Sequence, residues 1–433
     1  MEESIIESSY PLSFRKNDSS ALGDHLKHRH SVMLIGMKRV GISNFLRFFL
    51  YHQDIVRTYI DDGKHLFIPV DLNDLVEREL SPFWTLTLKR IVDACGQSSL
   101  PLNSKKEIEG IFLDSIQSQD LFLTIDSVRK ALIKIVAQGM LPTLFFLRFD
   151  RIKDVVTPEF FANLQGLKDA THQKLAYVFT SFRSLDKLSP NVFTKASLSS
   201  FSRDMYVKPA VEKDIQAVFE TYKKRYGLNL SSSVEQGLFD AVDGYIQYLQ
   251  LALIFLHEQK RALKNGVALF EHLVKDERIT LQSEELWESL DQGEQEVLQK
   301  VSTGDSLTKE DVEKGKYLWD TGFMIEISGR RSLFSPLFDY YLRQKEKKGK
   351  NEANSVEFSK KEHLLFTFLE KNKDEICERE KIVGAVWPEV EALGVSDWAI
   401  DRLVARVRNK LKMQKSRFEI QTVKTRGYKL ISP

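Results

Sequence analysis

Two neighbouring stretches decide the fold of the C-terminal part of the chain: SDWAIDRLVARVRNKLK at residues 396–412 and FEIQTVKTRGYKL at residues 418–430. In the first stretch, apolar residues recur at i, i+3, i+4, i+7 and i+11, which predicts one buried stripe of an amphipathic helix. These residues are Ile400, Leu403, Val404, Val407 and Leu411. In the second, residues 420–423 and 428–431 predict two short strands, and Gly427 can supply the positive φ of the turn between them.

The outer face of this helix and the tip of the hairpin are cationic. From Arg402 to Lys429 the sequence has ten Lys or Arg and one acid, Glu419, although the formal net charge of the chain is only +2. A basic helix face is often simply solvated, but this local excess favours a phosphate-binding surface. The pattern predicts a winged helix, with a recognition helix in the major groove and a wing on the backbone or minor groove. The predicted DNA-binding residues are Trp398, Arg402, Arg406, Arg408, Asn409, Lys410, Lys412, Lys424, Thr425 and Arg426.

Length and composition limit the class of protein. A chain of 433 residues predicts two to four domains, and 42% hydrophobic residues are typical of a globular protein. Two cysteines favour a reducing compartment over a disulfide framework. The sequence shows no cysteine and histidine cluster with metal-ligand spacing, no signal peptide and no apolar run that could span a bilayer. We therefore expect a cytoplasmic protein with no membrane partner.

A glycine loop, GMKRVGIS at residues 36–43, lies between a predicted buried strand and a predicted apolar helix. The G-x-x-x-x-G spacing and the following serine match a P-loop, but Ile42 stands where the phosphate-binding lysine belongs. The alternative is a purely structural turn. Loop amides and a helix N-terminus can still bind phosphate, so ATP and ADP are candidate ligands, while no cofactor is implied with certainty. The candidate nucleotide-binding residues of this degenerate loop are Gly36, Lys38, Gly41, Ser43 and Asn44.

Further apolar stretches predict buried strands at residues 65–72, 142–150 and 174–180. With FDRI at residues 149–152 and DGYIQYLQLAL at residues 243–253, the segment 20–256 resembles the STAND branch of AAA-like P-loop ATPases. This resemblance implies an α/β ATPase domain followed by a helical lid. It aligns Leu147 and Arg148 with the acidic pair that holds magnesium and polarises water, so it also implies that hydrolysis has been lost.

Residues 281–343 predict helices followed by a strand pair with Arg330 and Arg331 at its turn, which resembles a second, smaller winged helix. Its helices are acidic, and this favours a scaffold or interdomain role over DNA contact. The stretch QKEKKGKNEANS at residues 344–355 is predicted to be a linker.

The segment 356–433 resembles the OmpR/PhoB-type winged-helix output domain. It keeps the following residues of that family's motifs: Ser359, Glu362, Leu364, Leu365, Arg379, Glu380, Trp387, Arg408, Lys410, Leu411, Thr422, Val423, Gly427 and Tyr428. It departs at Thr425, where a wing glycine is usual. The resemblance implies sequence-specific binding of double-stranded DNA.

The sequence thus predicts an α/β P-loop domain with a helical lid, followed by two α+β winged-helix domains. The predicted boundaries are 1–205 for the degenerate P-loop domain, 206–280 for the lid, 281–343 for the first winged helix, 344–355 for the linker and 356–433 for the DNA-binding domain. We expect a transcriptional regulator whose pseudo-ATPase module senses a small molecule or protein effector, or forms a homo-oligomer. The alternatives are an active STAND-type ATP-dependent switch with DNA-binding output, and an AAA-like replication or defence protein that binds DNA architecturally.

Overall fold

The computed structural model describes residues 5–61, 63–118, 120–192, 201–259, 265–327, 330–349, 358, 360–388, 397–423 and 426–432. The chain forms two compact units. The first unit contains Met1–Thr221 and Asp320–Gly322, and the second contains Tyr222–Trp319 and Phe323–Pro433.

A five-stranded parallel sheet forms the core of the first unit. Its strands are β1 Ser31–Ile35, β2 His65–Asp71, β3 Leu141–Leu147, β4 Ala176–Ser181 and β5 Ser202–Tyr206. The strand order is β2-β3-β4-β1-β5. All residues of β1 and β4 are buried, as expected for parallel strands covered on both faces. The prediction of an α/β domain is confirmed. The parallel pairing of its sheet is seen in the structure, and the fifth strand is an addition that the sequence did not indicate.

Helices connect these strands. The α-helices of the first unit are Lys16–Lys27, Ile42–Tyr51, Leu80–Gln97, Leu102–Ser118, Leu121–Ala137, Pro158–Ala170, Leu185–Leu188 and Glu212–Tyr226, the last of which continues past Thr221. Short helical turns of other types lie at Ile6–Ser9, Val56–Ile60, Leu72–Asp74 and Phe149–Ile152. Several helix starts have a cause in the local sequence. The Asp120 carboxylate accepts from the Leu123 amide at 2.9 Å, and Thr157 caps a helix whose first residue is Pro158.

The first part of the second unit is mostly helical. Its helices are Ser232–Val242, Ile246–Glu258, Gly266–Leu273, Glu277–Glu288, Gln292–Thr303, Lys309–Lys314, Lys316–Thr321 (whose end belongs to the first unit) and Pro336–Gly349. The strands β6 Met324–Ile327 and β7 Arg330–Leu333 pair in antiparallel register. Helices and hairpin follow the predicted order, and the identification of this segment as a winged helix stays a prediction.

The helix Pro336–Gly349 corrects the predicted start of the linker. Residues 344–349, which the sequence assigned to a linker, are helical. Lys, Glu and Gln are strong helix formers, and Lys345 places its Nζ 5.5 Å from the centre of the Trp287 ring. Residues 350–357 of the predicted linker and its flank lie outside the described residues.

The last part of the second unit has the predicted α+β composition. Its helices are Lys360–Lys371, Arg379–Val386 and Asp397–Met413, and its strands are β8 Cys377–Glu378, β9 Glu419–Val423 and β10 Gly427–Ile431. The antiparallel sheet has the order β8-β10-β9. Gly427 has φ 146°, and a Cβ there would lie 2.0 Å from the carbonyl oxygen of Cys377. Glycine is therefore required where β10 approaches β8.

In the part of the chain that the structure describes, every helix is too short or too polar to span a bilayer.

Candidate nucleic-acid interface and glycine loop

The recognition helix, Asp397–Met413, buries the stripe that the sequence predicts. Ile400 and Leu411 are 2% and 3% exposed, and Leu403, Val404 and Val407 are 0% exposed. Because a helix buries one stripe, the polar residues between these positions face outward or sideways. Their individual partners decide which of them remain accessible to DNA.

Arg402 and Arg406 lie against the helix Glu277–Glu288, which we call the acidic helix. Arg402 donates from Nε and Nη2 to Glu284, both at 3.0 Å, and from Nη2 to Glu288 at 2.7 Å. Arg406 also donates to Glu284. Burial lowers the pKa of the Arg406 guanidinium, and the charge of Glu277 opposes that shift. Both arginines are thus engaged by carboxylates of the same chain.

Arg408 joins the recognition helix to the wing. It donates from Nε to the Ile420 carbonyl and from Nη2 to the Thr422 hydroxyl, both at 2.8 Å. Its guanidinium carbon lies 5.8 Å from the centre of the Tyr428 ring. These contacts hold β9 against the helix, so Arg408 positions the wing within the domain.

Lys410 is engaged inside the same domain. Its ammonium lies 2.7 Å from the carboxylate of Glu362, whose side chain is 3% exposed, while that of Lys410 is 20% exposed. Since Glu362 lies on the helix Lys360–Lys371, this ion pair ties the first helix of the domain to the recognition helix.

Among the predicted DNA-binding residues whose side chains the structure describes, three are exposed: Asn409 and Lys412 on the recognition helix and Arg426 beside the wing turn. Lys424 and Thr425, at the tip of the wing, lie outside the described residues, as does the side chain of Trp398. The exposed residues form the accessible part of the predicted interface.

A polar cluster beneath the wing was not predicted. The Tyr428 hydroxyl donates to Asp401, Arg379 lies 2.5 Å from the same carboxylate, and Arg379 donates to the Tyr428 oxygen at 3.0 Å. Burial and the neighbouring Asp401 raise the pKa of Tyr428. The retained family residues Arg379 and Tyr428 were the available signal, but the sequence did not indicate Asp401 as their shared partner.

The glycine loop follows β1 at the carboxyl edge of the parallel sheet, which is where ligands of open α/β sheets bind. Gly36 is closely packed, since a Cβ there would lie 2.8 Å from the Val207 carbonyl oxygen. Gly41 has φ 105° and precedes the helix Ile42–Tyr51. The two glycines are therefore required by local geometry, whether or not a phosphate binds.

The other predicted loop residues have different surroundings. Lys38 places its Nζ 5.0 Å from the centre of the Phe182 ring, and Asn44 donates from Nδ2 to Glu7 at 3.0 Å. Ser43 is exposed and, with Ile42, lines a cavity of about 670 Å³. The structure thus directs Asn44 toward Glu7 and leaves the Ser43 hydroxyl at the cavity.

The end of β3 carries a cation beside the cavity. Arg148 has φ 60°, donates its amide to the Thr180 hydroxyl at 2.7 Å and forms an ion pair with Asp71. Asp150 follows in the turn Phe149–Ile152, and burial raises the pKa of its carboxyl group. Burial disfavours the ionised form of this carboxyl, which is the form that binds magnesium.

Among the residues that the structure describes, the charged groups that line the cavity balance each other. They are the acids Asp71, Asp74 and Asp93 and the cations Arg47, Arg90 and Arg148, three of each sign. Arg90 also pairs with Asp74 at 2.7 Å and Asp93 at 3.2 Å. A triphosphate needs a local excess of cations or a bound metal, and these pairs do not supply one.

Comparison with protein families confirms the predicted C-terminal resemblance. Residues 352–430 match the family model described as "Transcriptional regulatory protein, C terminal". No curated protein matches the chain.

Solved structures similar to the chain include a Walker-type ATPase of Pyrococcus abyssi, with 14% identity, a TM-score of 0.49 and coverage of 78% of this chain and 100% of that chain. The Aeropyrum pernix ORC2 protein has 11% identity, a TM-score of 0.45 and coverage of 80% and 98%. The Aeropyrum pernix ORC1 protein in complex with DNA has 12% identity, a TM-score of 0.40 and coverage of 81% and 96%. All three scores are below 0.5, and the fold of this chain is established by its own sheet order and register.

Proposed function

We propose that the protein is a sequence-specific DNA-binding transcriptional regulator whose P-loop-like module does not hydrolyse ATP. The recognition helix is the observation that supports DNA binding. It buries its predicted apolar stripe and presents Asn409 and Lys412 to solvent. It lies inside a segment that matches a transcriptional-regulator family. A helix of this kind fits the major groove.

The exposed residues suggest how the sequence of DNA is distinguished. Asn409 can pair with adenine through its amide, and Lys412 and Arg426 can contact phosphates. Arg402 and Arg406 can pair with guanine when they are free of the acidic helix. Each good side chain–base pair contributes about 1–3 kcal/mol of discrimination.

Selection of duplexes from a random library by the full-length chain tests this proposal. We expect a defined motif, and we expect Asn409→Ala to relax preference at one position of that motif. Met413→Ala is a matched control at an exposed position on the same helix and should leave the motif unchanged. Recovery of unrelated duplexes by the wild type would favour the architectural alternative and contradict the proposal.

The absence of hydrolysis is proposed from the surroundings of the glycine loop. Ile42 brings no cation to the phosphates, Leu147 is apolar and Arg148 is paired with Asp71. This pairing also occupies the Asp71 carboxylate, an acid at the cavity that could otherwise hold a magnesium ion. Asp150, with its raised pKa, is a poor substitute for the missing acids. Hydrolysis requires a cation on the phosphate, a held magnesium and an oriented water, and these residues support none of the three.

Phosphate release by purified protein tests the second part of the proposal, the absence of ATP hydrolysis. We expect no magnesium-dependent turnover from the wild type, and an Ile42→Lys variant measured in parallel shows whether the lysine alone is limiting. Wild-type turnover that disappears in Ser43→Ala would contradict the proposal and favour the ATP-dependent switch.

The cavity beside Ser43 is our candidate site for the signal. A volume of about 670 Å³ suits a small molecule, and its balanced charges favour a neutral or zwitterionic ligand over a polyphosphate. Leu46→Trp would fill this space. Loss of the response to an effector in Leu46→Trp, with DNA binding retained, would support sensing at the cavity. An unchanged response would place sensing elsewhere and leave a partner protein or oligomerisation as the input.

A further inference from the structure

The acidic helix presents one stripe toward the recognition helix. Glu277, Leu281, Glu284 and Glu288 occur at i, i+4, i+7 and i+11, so they lie on one face of the helix Glu277–Glu288. This face combines three carboxylates with one apolar residue. It is therefore chemically suited to bind a helix that carries arginines beside an apolar stripe.

The apolar part of this stripe is packed against the DNA-binding domain. Leu281 is 4% exposed and belongs to the same buried cluster as Ile400, Leu403 and Tyr428. The two helices thus share a hydrophobic contact as well as ion pairs. Burial of a shared apolar surface stabilises this contact beyond what solvated ion pairs alone would contribute.

The ionic part engages the residues that DNA would need. Glu284 has a side chain that is 9% exposed and accepts from both Arg402 and Arg406. Glu288 is 2.7 Å from Arg402, and its charge also acts on Lys345. In helix-turn-helix proteins, the first turns of the recognition helix supply the base contacts. While Arg402 holds Nε and Nη2 on these carboxylates, Arg406 holds Nη2 on Glu284 and the acidic helix lies against this face, those donors are not available to a base or phosphate.

We propose that the acidic helix is an intramolecular inhibitor that competes with DNA for Arg402 and Arg406. This inference rests on the proposed DNA-binding function. Asn409 and Lys412 stay exposed in the closed arrangement, so weak, phosphate-dominated contact with DNA remains available. Specific binding requires the recognition helix to leave the acidic helix, and the apparent affinity is reduced by the fraction of molecules that are open.

Neutralising the two acids in the full-length chain tests this competition. A fluorescent duplex selected with Glu284→Gln/Glu288→Gln serves as the probe, and its affinity is measured for each variant at constant salt. If about one molecule in ten is open, the double variant binds about tenfold more tightly than the wild type. Glu288→Gln alone changes a less buried group and should give an intermediate increase, which keeps the test valid if the double variant folds poorly.

A matched control removes two negative charges elsewhere in the same unit. Glu296 and Glu313 are exposed residues of other helices, and Glu296→Gln/Glu313→Gln changes the net charge equally. Because these carboxylates are exposed on other helices, their charges are screened at physiological salt, so affinity should stay within about twofold of the wild type. An equal gain in DNA affinity in both double variants would mean that net charge alone causes the effect, and it would overturn the inference.

Hydrogen exchange without DNA supplies an independent readout. Amides in the first half of the recognition helix should exchange faster in Glu284→Gln/Glu288→Gln than in the wild type or the control, because the inhibitory contact is weakened. Equal DNA affinity and equal exchange in wild type and variant would overturn inhibition while the DNA-binding function stands. If neither the wild type nor Glu284→Gln/Glu288→Gln binds any selected duplex, the proposed function is overturned, and the inference with it.

Discussion

Replacement of Lys410 by methionine should destabilise the DNA-binding domain far more than loss of an exposed lysine. Lys410 is the partner of Glu362, and the side chains are 20% and 3% exposed. Methionine keeps the length of the side chain and removes its charge, which leaves the Glu362 carboxylate buried without this partner. Breaking a buried ion pair in this way costs about 3–5 kcal/mol. We expect about 3 kcal/mol, because Lys410 retains some contact with water.

Native-state hydrogen exchange of the recognition helix measures this cost without requiring the whole chain to unfold in one step. A loss of about 3 kcal/mol corresponds to exchange that is roughly a hundredfold faster for the most protected amides. Lys412→Met is the matched control, since Lys412 is exposed on the same helix, and it should change stability by less than about 0.5 kcal/mol.

Glu362→Gln in the Lys410→Met background should recover part of the loss, because a neutral amide is less costly to bury than a carboxylate that has lost its ammonium partner. Equal protection in Lys410→Met and Lys412→Met would refute the structural role of this ion pair. The prediction from the sequence that Lys410 contacts DNA would then stand.

Three further predictions concern the wing and the α/β unit. Arg426→Ala should lower the salt slope of DNA binding by about one, since one phosphate contact is removed, and an unchanged slope would exclude Arg426 from the interface. Gly427→Ala should cost about 3 kcal/mol or more and abolish exchange protection of β10, because its Cβ would lie 2.0 Å from the Cys377 carbonyl oxygen; retained protection would contradict this. Burial raises the pKa of Asp150 from 3.8, so its contribution to stability is present below that value and is lost as pH rises through the raised pKa. Asp150→Asn should therefore raise the unfolding free energy of the α/β unit at neutral pH and not at acid pH. Hydrogen exchange measured from the acid range up to neutral pH checks this, and an unchanged value at neutral pH would refute the raised pKa.

The sequence predicted elements whose patterns are strong and local. The stripe of the recognition helix, the buried strand β1 and the glycine loop after it all have periodicity or spacing that physical chemistry restricts to a few structures. Strand β5, Ser202–Tyr206, was missed because its sequence SRDMY has no apolar run, and only Met205 of the strand is buried. Its place in the sheet comes from its pairing with β1, which is a long-range interaction.

The candidate site likewise has features that the sequence predicted and features that it could not predict. The helical pattern correctly indicated the buried stripe of the recognition helix, but it could not indicate the partners of the polar residues beside it. Arg408 bonds to β9, Lys410 to Glu362, and Arg402 to the acidic helix more than a hundred residues earlier in the chain. The excess of acids on that helix was visible in the sequence. Its contact with the basic helix depends on tertiary packing, which periodicity alone does not specify.

The most direct test of the central claim is the affinity of the full-length protein for its selected duplex without nucleotide, with ADP, and with ATP and Mg²⁺. A regulator built on a catalytically silent P-loop module should bind with affinities that agree within about twofold in all three conditions. Affinity that rises about tenfold or more only with ATP and Mg²⁺, and that loses this gain in Ser43→Ala, would contradict the account and identify an ATP-dependent switch.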